Sequence, residues 1–483
     1  MSGYSNCPSQ VDYDAIVIGS GPNGLAAGIV LAQSGLEVLI VEGHSEIGGG
    51  TRTAELTLPG FHHDVCSAIH PMGLASPFLK SLPLTEFGLE WIHPEVPLAH
   101  PLEDGSAVLM HQSVEQTADQ FSNRGDAQMY RRVFDSIVRD AEKIMGDLMA
   151  PPKIPSHPFA VTNFGVRAVP SALAAARSWF SDEPARALLA GNAAHAVMPL
   201  DRAFSTNAIG LMLMMAGHHV GWPFPKGGSH AISKAMAGYF ESLGGKIETG
   251  CLVEDINELP KAASYVFDTS PSALSSIAGS RLPDKYRNRL KAYRHGPGVF
   301  KVDYALSEPV PWSSDGCGRA GTVHVGGTLN EIVNAERECW NGIHSEKPFV
   351  LSAQQSLFDR SRAPEGCETF WAYCHVPHGS TVNMTEAIEN QIERFAPGFR
   401  DCILAKNTMS CVDFQSYNPN FIGGDIVGGV ADWRQLLTRP DVRLRPHTTP
   451  SKDIFICSAS SPPGAGVHGM GGYWAAQEVL RNL

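Results

Sequence analysis

The sequence predicts an α/β fold organised around a dinucleotide-binding βαβ unit, and three observations support this prediction. A short apolar strand runs into a glycine-rich turn near residue 19. Strand and helix character returns near residue 246, after a largely helical stretch. Long alternating strands without intervening helices then follow between residues 298 and 376, which is typical of an antiparallel or mixed sheet.

The first unit reads strand, turn, helix, strand. Residues 15–18 form the apolar run expected of a buried parallel strand. Three glycines then match the G-x-G-x-x-G pattern: Gly19, Gly21 and Gly24. They allow a tight turn, the close approach of a pyrophosphate and close packing of helix on sheet. The next strand, over residues 36–41, ends at Glu42, which stands close to the expected position of a carboxylate that binds a ribose diol. The pattern by itself does not choose between FAD and NAD.

Composition limits the classes of partner. At 483 residues the chain is long enough for two to four units of ~100–200 residues. Its net charge of −12 argues against a nucleic-acid partner, because phosphate binding needs a basic face. The polar start lacks the features of a secretory signal, and no apolar run approaches the ~18 residues needed to span a bilayer. We therefore expect a cytoplasmic protein.

The cysteines and histidines do not indicate a metal site. The ten cysteines are scattered, and none of them forms a C-x-x-C pair. Zinc-type spacing and a closely spaced redox dithiol are therefore unsupported, and we expect no metal.

Residues 76–225 are predicted to be mostly helical. Helices are expected at four places: 122–149, 168–180, 183–198 and 204–218. The last contains several methionines, whose flexible side chains fit either an ordinary core or a channel for an apolar ligand. A second G-x-G-x-x-G, at 464–469, is followed by too few residues for another βαβ unit. It is expected to bring backbone and a helix N-terminus close to a flat, negatively charged group.

These motifs together resemble the phytoene desaturase-like FAD-dependent oxidoreductases, most closely the group of pyridine nucleotide-disulfide oxidoreductase domain-containing protein 2. The motifs that carry the resemblance are Gly19–Gly24, Glu42, Gly48–Gly50, Lys226–Ser229 and Gly464–Gly472. The resemblance implies a glutathione-reductase-type FAD-binding fold built from discontinuous segments. The FAD-binding domain would use 12–75, 226–300 and 412–483, and a mixed-sheet and helical substrate domain would use 76–225 and 301–411. Residues 1–11 would form a flexible N-terminus.

The resemblance also implies a set of FAD-binding residues. They are Gly19, Gly21, Pro22, Asn23, Gly24, Glu42, Gly49, Gly50, Arg52, Val253, Ser460, Gly466, Val467 and Gly471. Many relatives have Gly-Gly-Arg in the glycine turn after the ribose acid, whereas this chain has Gly49-Gly50-Thr51-Arg52. The role of Arg52 therefore stays open. The disulfide in the group's name has no counterpart here, because no C-x-x-C is present.

The implied function is transfer of hydride or hydrogen between FAD and an apolar or semi-polar organic substrate. The reaction would be of the desaturase, saturase or isomerase type. His468 and His70 are the candidate acid–base residues. Two alternatives remain: a flavin amine oxidase, for which Tyr473-Trp474 would be the aromatic pair, and a flavin-binding scaffold without turnover. Peripheral membrane contact through residues 204–215 is compatible with the first reading, and the oligomeric state is left open.

Overall fold

The computed structural model describes residues 13–483, so the predicted flexible segment 1–11 lies outside the described residues. The strands are β1 Tyr13–Ile18, β2 Val38–Val41, β3 Thr53–Glu55, β4 His62–Asp64, β5 Trp91–Ile92, β6 Val96–Pro101, β7 Ala107–Met110, β8 Phe224–Pro225, β9 Lys246–Glu248, β10 Ala262–Phe267, β11 Gly298–Leu306, β12 Ala320–Val325, β13 Val350–Ala353, β14 Glu368–Val376, β15 Ile403–Met409 and β16 Ile454–Ile456. The helices are α1 Pro22–Gln33, α2 Pro71–Ala75, α3 Pro77–Lys80, α4 Val114–Asp119, α5 Arg124–Arg139, α6 Ala141–Leu148, α7 Pro158–Ala168, α8 Ala172–Trp179, α9 Glu183–Ala194, α10 Thr206–Val220, α11 His230–Ser242, α12 Pro271–Ile277, α13 Asp284–Lys291, α14 Asp315–Gly318, α15 Leu329–Trp340, α16 Thr385–Glu393, α17 Cys411–Tyr417, α18 Trp433–Thr438 and α19 Met470–Leu480.

A five-stranded parallel sheet has the order β16-β10-β1-β2-β9. In its centre Val17 pairs with Val266 on one side and Ile40 on the other, and all three are fully buried. Apolar residues on both faces are what a parallel sheet covered on two sides requires. The five strands come from three distant parts of the chain. This arrangement confirms the predicted Rossmann-like α/β fold built from discontinuous segments, while the residue boundaries of the two domains stay a prediction.

Two helices meet closely above the parallel sheet. α1 follows β1 directly, and α19 packs against it through backbone contact. A Cβ atom on Gly472 would lie 1.8 Å from the carbonyl oxygen of Asn23, so this position has no room for a side chain. Glycine therefore fixes the distance between the first helix and the last one.

A seven-stranded mixed sheet has the order β15-β11-β14-β13-β12-β6-β7. β6 and β12 run parallel, and the other neighbouring pairs are antiparallel. Its long central strands, β11 and β14, have nine residues each and are buried along their whole length. The predicted mixed sheet is thus confirmed, with β11 at its predicted bounds.

Some predicted elements were wrong in detail. The helix predicted over 122–149 is two helices separated at Asp140, and the strand predicted from Lys246 ends at Glu248. β6 and β7 lie within the stretch predicted to be mostly helical. β6 contains Pro97 and Pro101, which usually argue against an interior strand. Its pairing with β12 and β7 overrides that local preference.

Among residues 13–483, none of the helices combines the length and apolar character that crossing a bilayer requires.

Candidate functional site

One cavity of about 740 Å³ runs between the parallel sheet and the mixed sheet. We call its two parts the nucleotide end and the substrate end. The nucleotide end is lined by Gly19, Gly21, Glu42, Val253 and Asp268, and the substrate end by His195, Met212, Thr322, Trp371 and Tyr373. The parallel sheet supplies the first set, whereas α9, α10 and the mixed sheet supply most of the second. The cavity therefore joins a dinucleotide-type site to a largely apolar chamber.

The glycine turn after β1 is packed against the end of β10. Gly19 has a φ of +102°, and its N–H donates to the carbonyl of Val41 at 2.8 Å. A Cβ on Gly24 would lie 2.0 Å from the carbonyl oxygen of Gly19, so this glycine allows the helix to approach the turn. Gly49 of the second glycine turn packs directly against Gly21, because a Cβ on Gly49 would be only 3.2 Å from the Cα of Gly21. Both turns line the cavity, so a ligand's pyrophosphate would lie beside this contact.

Glu42 ends β2 and is held in place by its neighbours. Its carboxylate accepts hydrogen bonds from the backbone N–H and the hydroxyl of Ser20, at 2.9 and 2.6 Å, and from the N–H of His44 at 2.9 Å. A longer hydrogen bond from Nη2 of Arg52, at 3.4 Å, brings the total to four, which is about the number that an ionised carboxylate accepts, so a ligand hydroxyl would replace or share one of them. Arg52 is buried, lies 3.4 Å from Glu42, and donates to the carbonyl of Glu46 at 3.0 Å. Arg52 therefore stabilises the second glycine turn, at residues 48–50, and also lines the cavity.

Asp268 is a cavity residue that the sequence reasoning missed. It follows β10, and its carboxylate accepts a hydrogen bond from the N–H of Gly24 at 2.8 Å, at the start of α1. Burial is the main cause that raises the pKa of Asp268 to about 7; the hydrogen bond from Gly24 opposes it, and the charge of Glu42 adds to it. Its position in the sequence could have indicated this role, because Asp268 directly follows a strand, and polar residues at the carboxyl ends of parallel strands face the ligand crevice.

Arg439 is a second missed cavity residue. Its guanidinium is buried, donates from Nη1 to the carbonyl of Ala459 at 3.2 Å, and leaves Nε without a partner. A Cβ on Gly464 would lie 2.9 Å from the same Nη1. The glycine of the second motif thus makes room for a buried cation beside the cavity.

The two candidate acid–base histidines occupy different places. His70 lines the cavity, and its Nε2 is 2.8 Å from the hydroxyl of Ser229. His468 is buried, is absent from the described cavity wall, and accepts a hydrogen bond at Nδ1 from the N–H of Met470 at 3.1 Å. Burial lowers the pKa of each imidazole to about 4. A catalytic role stays a prediction for both histidines. The hydrogen bond that His468 accepts from Met470 gives it a structural role.

The other predicted FAD-binding residues divide into two sets. Those that line the cavity are Pro22, Asn23, Gly50, Val253, Ser460, Gly466 and Val467. Gly24 and Gly471 instead sit where main chains touch: a Cβ on Gly471 would be 2.7 Å from the carbonyl oxygen of Cys457. Val253 reaches the cavity because Gly250, with a φ of +70°, turns the chain after β9.

A buried polar network joins the two parts of the fold beside the substrate end. Asp64 accepts hydrogen bonds from the N–H of Ser229 at 2.7 Å and from Arg362 at 2.9 Å. Close by, Lys301 is paired with Asp303 on β11. The Lys226–Ser229 motif is therefore explained by structure, because it presents a backbone N–H to a buried carboxylate.

Two cross-strand rows of the mixed sheet form one wall of the substrate end. In the first row Thr322, Ala353 and Trp371 stand side by side on β12, β13 and β14. In the second row the neighbours are His324, Leu351 and Tyr373. The Trp371 and Tyr373 rings have centroids 4.9 Å apart and planes at 75°.

Three histidines extend from this wall into the protein. His195, the residue after α9, lines the cavity, and its Nε2 is 3.1 Å from Nε2 of His324. His100 lies next, with Nε2 donating to the carbonyl of Gly327 at 2.7 Å. Burial, helped by the charge of His375, lowers the pKa of His195 to about 3, and burial places the pKa of His324 well below its usual value. These imidazoles are consequently neutral at physiological pH.

Fold and site together define a protein of the dinucleotide-binding, Rossmann-like α/β class. Residues 17–82 match the model of an NAD(P)-binding Rossmann-like domain. Over its whole length the chain is 24% identical to pyridine nucleotide-disulfide oxidoreductase domain-containing protein 2 of Rattus norvegicus, and the match covers 96% of that protein. It is 23% identical to a lycopene-forming phytoene desaturase of Pantoea ananas, over 94% of this chain and 96% of the relative. The predicted resemblance to this family is therefore confirmed.

A solved structure supports the fold. Putrescine oxidase, in its wild-type form bound to putrescine, matches with a TM-score of 0.62 and 16% identity, over 98% of this chain and 99% of the other.

Among the residues that the structure describes, no group of three or more histidine, cysteine or acidic side chains could hold a metal ion.

Proposed function

We propose that the chain is an FAD-dependent oxidoreductase that exchanges hydride or hydrogen with a small organic substrate, with desaturase, saturase or isomerase chemistry like that of phytoene dehydrogenases. The observation that carries this proposal is the single cavity that connects the glycine turn at β1 with an apolar chamber. A bound flavin supplies the two-electron redox chemistry, and the chain supplies orientation and exclusion of water.

The residues of the nucleotide end fit such a cofactor. Glu42 would bind the ribose diol, and Gly21 and Gly49, which both line the cavity without side chains, would let the pyrophosphate lie close to the backbone at the N-terminus of α1. Two residues of the cavity wall carry a buried polar atom without a hydrogen-bond partner, Oδ1 of Asn23 and Nε of Arg439. Unpartnered buried polar atoms are uncommon in native proteins, and a dinucleotide beside these residues would satisfy them if their side chains turned toward it.

The first experiment is the visible absorption spectrum of the purified protein, recorded anaerobically before and after NADPH. We expect flavin bands, either as purified or after adding FAD. Flavin that bleaches with NADPH would indicate a reductase or saturase, and flavin that persists would indicate a desaturase or oxidase. The absence of flavin bands even with added FAD would overturn the proposal.

A pair of variants tests the site itself. Glu42→Gln should weaken FAD binding at least several-fold, because a charged acceptor for the ribose is lost. Glu248→Gln, at the end of the neighbouring strand β9 and outside the cavity wall, is the matched control and should leave FAD affinity unchanged. Equal FAD affinity in wild type and Glu42→Gln would contradict the assignment of Glu42.

Amine oxidation is the second candidate. The predicted aromatic pair Tyr473-Trp474 lies outside the cavity wall, and Trp474 donates from Nε1 to the carbonyl of Met149 at 2.9 Å. Trp371 and Tyr373 supply an aromatic pair in the substrate end instead. Aromatic faces attract ammonium groups. Anaerobic bleaching of the flavin by an amine, but not by the matching alcohol, would favour this candidate.

Peripheral membrane contact is a compatible proposal. An exposed apolar patch surrounds α7: Ile154, Phe159, Val166, Val169 and Phe204, of which Phe159 is 91% exposed. The N–H of Phe204 donates to the carbonyl of Val169 at 3.0 Å, so two of these residues are adjacent. α10 begins just after Phe204 and lines the cavity through Ile209 and Met212. In flotation with phosphatidylcholine vesicles, wild type should rise with the lipid and Phe159→Glu should rise less. Wild-type protein that stays entirely at the bottom would remove this proposal.

A further inference from the structure

We infer that the substrate end binds an uncharged ligand through a hydrogen bond to the imidazole of His195. The substrate of the proposed function would then carry a hydroxyl or carbonyl group on a compact apolar body. Binding of such a ligand does not depend on the proposed function; only the statement that the ligand is the substrate rests on it.

His195 has one ring nitrogen committed and one available. Nε2 shares a hydrogen bond with His324, while Nδ1 makes none with any described residue. The side chain is partly accessible, and the surface that it exposes contributes to the cavity wall. Between two neutral imidazoles one nitrogen must donate and the other accept, so Nδ1 takes the complementary role. A hydroxyl can serve either tautomer, and a carbonyl can serve the one that donates.

The ring of His195 packs against neighbouring aromatic rings. The indole of Trp222 stands edge-on to it, with centroids 5.8 Å apart and planes at 89°. A Cβ on Gly191 would lie 2.9 Å from Nδ1 of His324 and 3.4 Å from Nδ1 of His100, so the histidines fill the space beside α9. A fixed ring gives a hydrogen bond a defined direction, which is how polar groups set ligand orientation in apolar pockets.

Two further polar atoms belong to residues of the same wall. Oγ1 of Thr322 and Nε1 of Trp371 are buried and have no partner. Both residues lie in one cross-strand row, separated by the small side chain of Ala353. Neither atom is open to the cavity, so these two groups add polarity behind the wall, and the direct hydrogen bond to a ligand is assigned to His195 alone.

Charge excludes ions from this end. The charged groups of the neighbouring part of the mixed sheet are already paired: Lys301 with Asp303, and Glu336 with His375 at 2.8 Å. An ammonium or carboxylate entering the chamber would lose its hydration without meeting a free counter-charge, which is costly. The favoured ligand is therefore neutral, in contrast to the substrate of an amine oxidase.

The size of the cavity requires a compact ligand. Its volume of about 740 Å³ includes the nucleotide end, and pockets for one drug-sized ligand hold about 300–1,000 Å³. A dinucleotide would occupy most of that space. The apolar body of the substrate would lie against Ile209, Met212 and Leu213 of α10.

The test compares three probes with the same body: cinnamyl alcohol, 1-phenylpropene and protonated cinnamylamine. Binding to the full-length protein as purified is followed by quenching of tryptophan fluorescence. We expect the alcohol to bind most tightly. His195→Phe should weaken alcohol binding about 2- to 10-fold, which corresponds to one net hydrogen bond, and leave 1-phenylpropene binding unchanged. His195→Asn, which keeps polar atoms near the position of Nδ1, should retain most of the alcohol affinity.

His62→Phe is the matched control, since its side chain is 43% exposed and absent from the cavity wall. Tighter binding of the amine, no binding of the alcohol, or equal weakening of alcohol and hydrocarbon by His195→Phe would each overturn the inference. Flavin content is measured separately on the same samples. A protein without flavin that still ranks the probes as expected refutes the proposed function alone, and a flavoprotein that does not rank them refutes this inference alone.

Discussion

Replacing Asp268 with Asn should change how stability depends on pH. Burial raises the pKa of Asp268 from 3.8 to about 7 in the folded protein. The folded state therefore holds this proton more tightly than the unfolded chain does. The resulting contribution to stability is complete below pH 3.8 and is lost as pH rises through about 7, where the folded protein must bury a charge.

The magnitude follows from the pKa change. Each pKa unit corresponds to about 1.4 kcal/mol, so ionisation of Asp268 lowers the free energy of unfolding by up to about 4 kcal/mol above pH 7. Asn removes the titration and keeps an oxygen that can accept the hydrogen bond from Gly24. Relative to wild type, Asp268→Asn should gain stability steadily between about pH 4 and pH 7 and then level off.

The assay is urea unfolding of nucleotide-free protein at four pH values from 5 to 8, followed by tryptophan fluorescence. Asp14→Asn is the matched control, because that carboxylate also accepts one backbone hydrogen bond, from Glu37 at 2.8 Å, but is partly exposed at the start of β1. A stability difference between Asp268→Asn and wild type that does not vary with pH would refute the reasoning.

Two further substitutions test the packing. Gly24→Ala would place a Cβ 2.0 Å from the carbonyl oxygen of Gly19 and should lower the free energy of unfolding by at least about 1–3 kcal/mol. Gly146→Ala is the control: its Cβ would meet no atom within 4 Å in helix α6, so it should be neutral or stabilise the protein by up to about 1 kcal/mol. Equal effects of the two substitutions would contradict the packing argument. Asp64→Asn leaves Arg362 buried without its charged partner and should lower the free energy of unfolding by about 3–5 kcal/mol, measured with heat or urea. Glu90→Gln breaks the exposed ion pair with Lys226 and should change the same free energy little.

The nucleotide end could be predicted from the sequence because its residues are close together in the chain. Gly19, Gly24 and Glu42 belong to one βαβ unit whose spacing is fixed by the geometry of strand and helix. The pattern does not distinguish a glycine that faces a ligand from one that packs against main chain. Gly24 and Gly471 serve contacts between main chains, and the same glycine pattern would suit either purpose.

The substrate end could not be predicted in the same way. Its wall is made by residues such as His195, Thr322 and Trp371, which come from separate elements. The order of the mixed sheet aligns the last two, and the packing of α9 on that sheet brings in His195. The register that aligns Thr322 with Trp371 in one row depends on β13, which lies between their strands and contributes Ala353 to that row. The role of Asp268 could not be predicted for a related reason, because its hydrogen-bond partner, Gly24, is 244 residues away in the chain.

The order of the parallel sheet has a consequence for biosynthesis. β16 borders β10, and α19 rests on α1 through Gly472, so residues near 454–480 complete the structure begun by residues 13–41. A ribosome makes the glycine turn first and the elements that cover it last. The first βαβ unit must therefore wait, with its apolar faces unprotected, through most of translation. The dinucleotide-type site is therefore complete only once the last elements of the chain have been made.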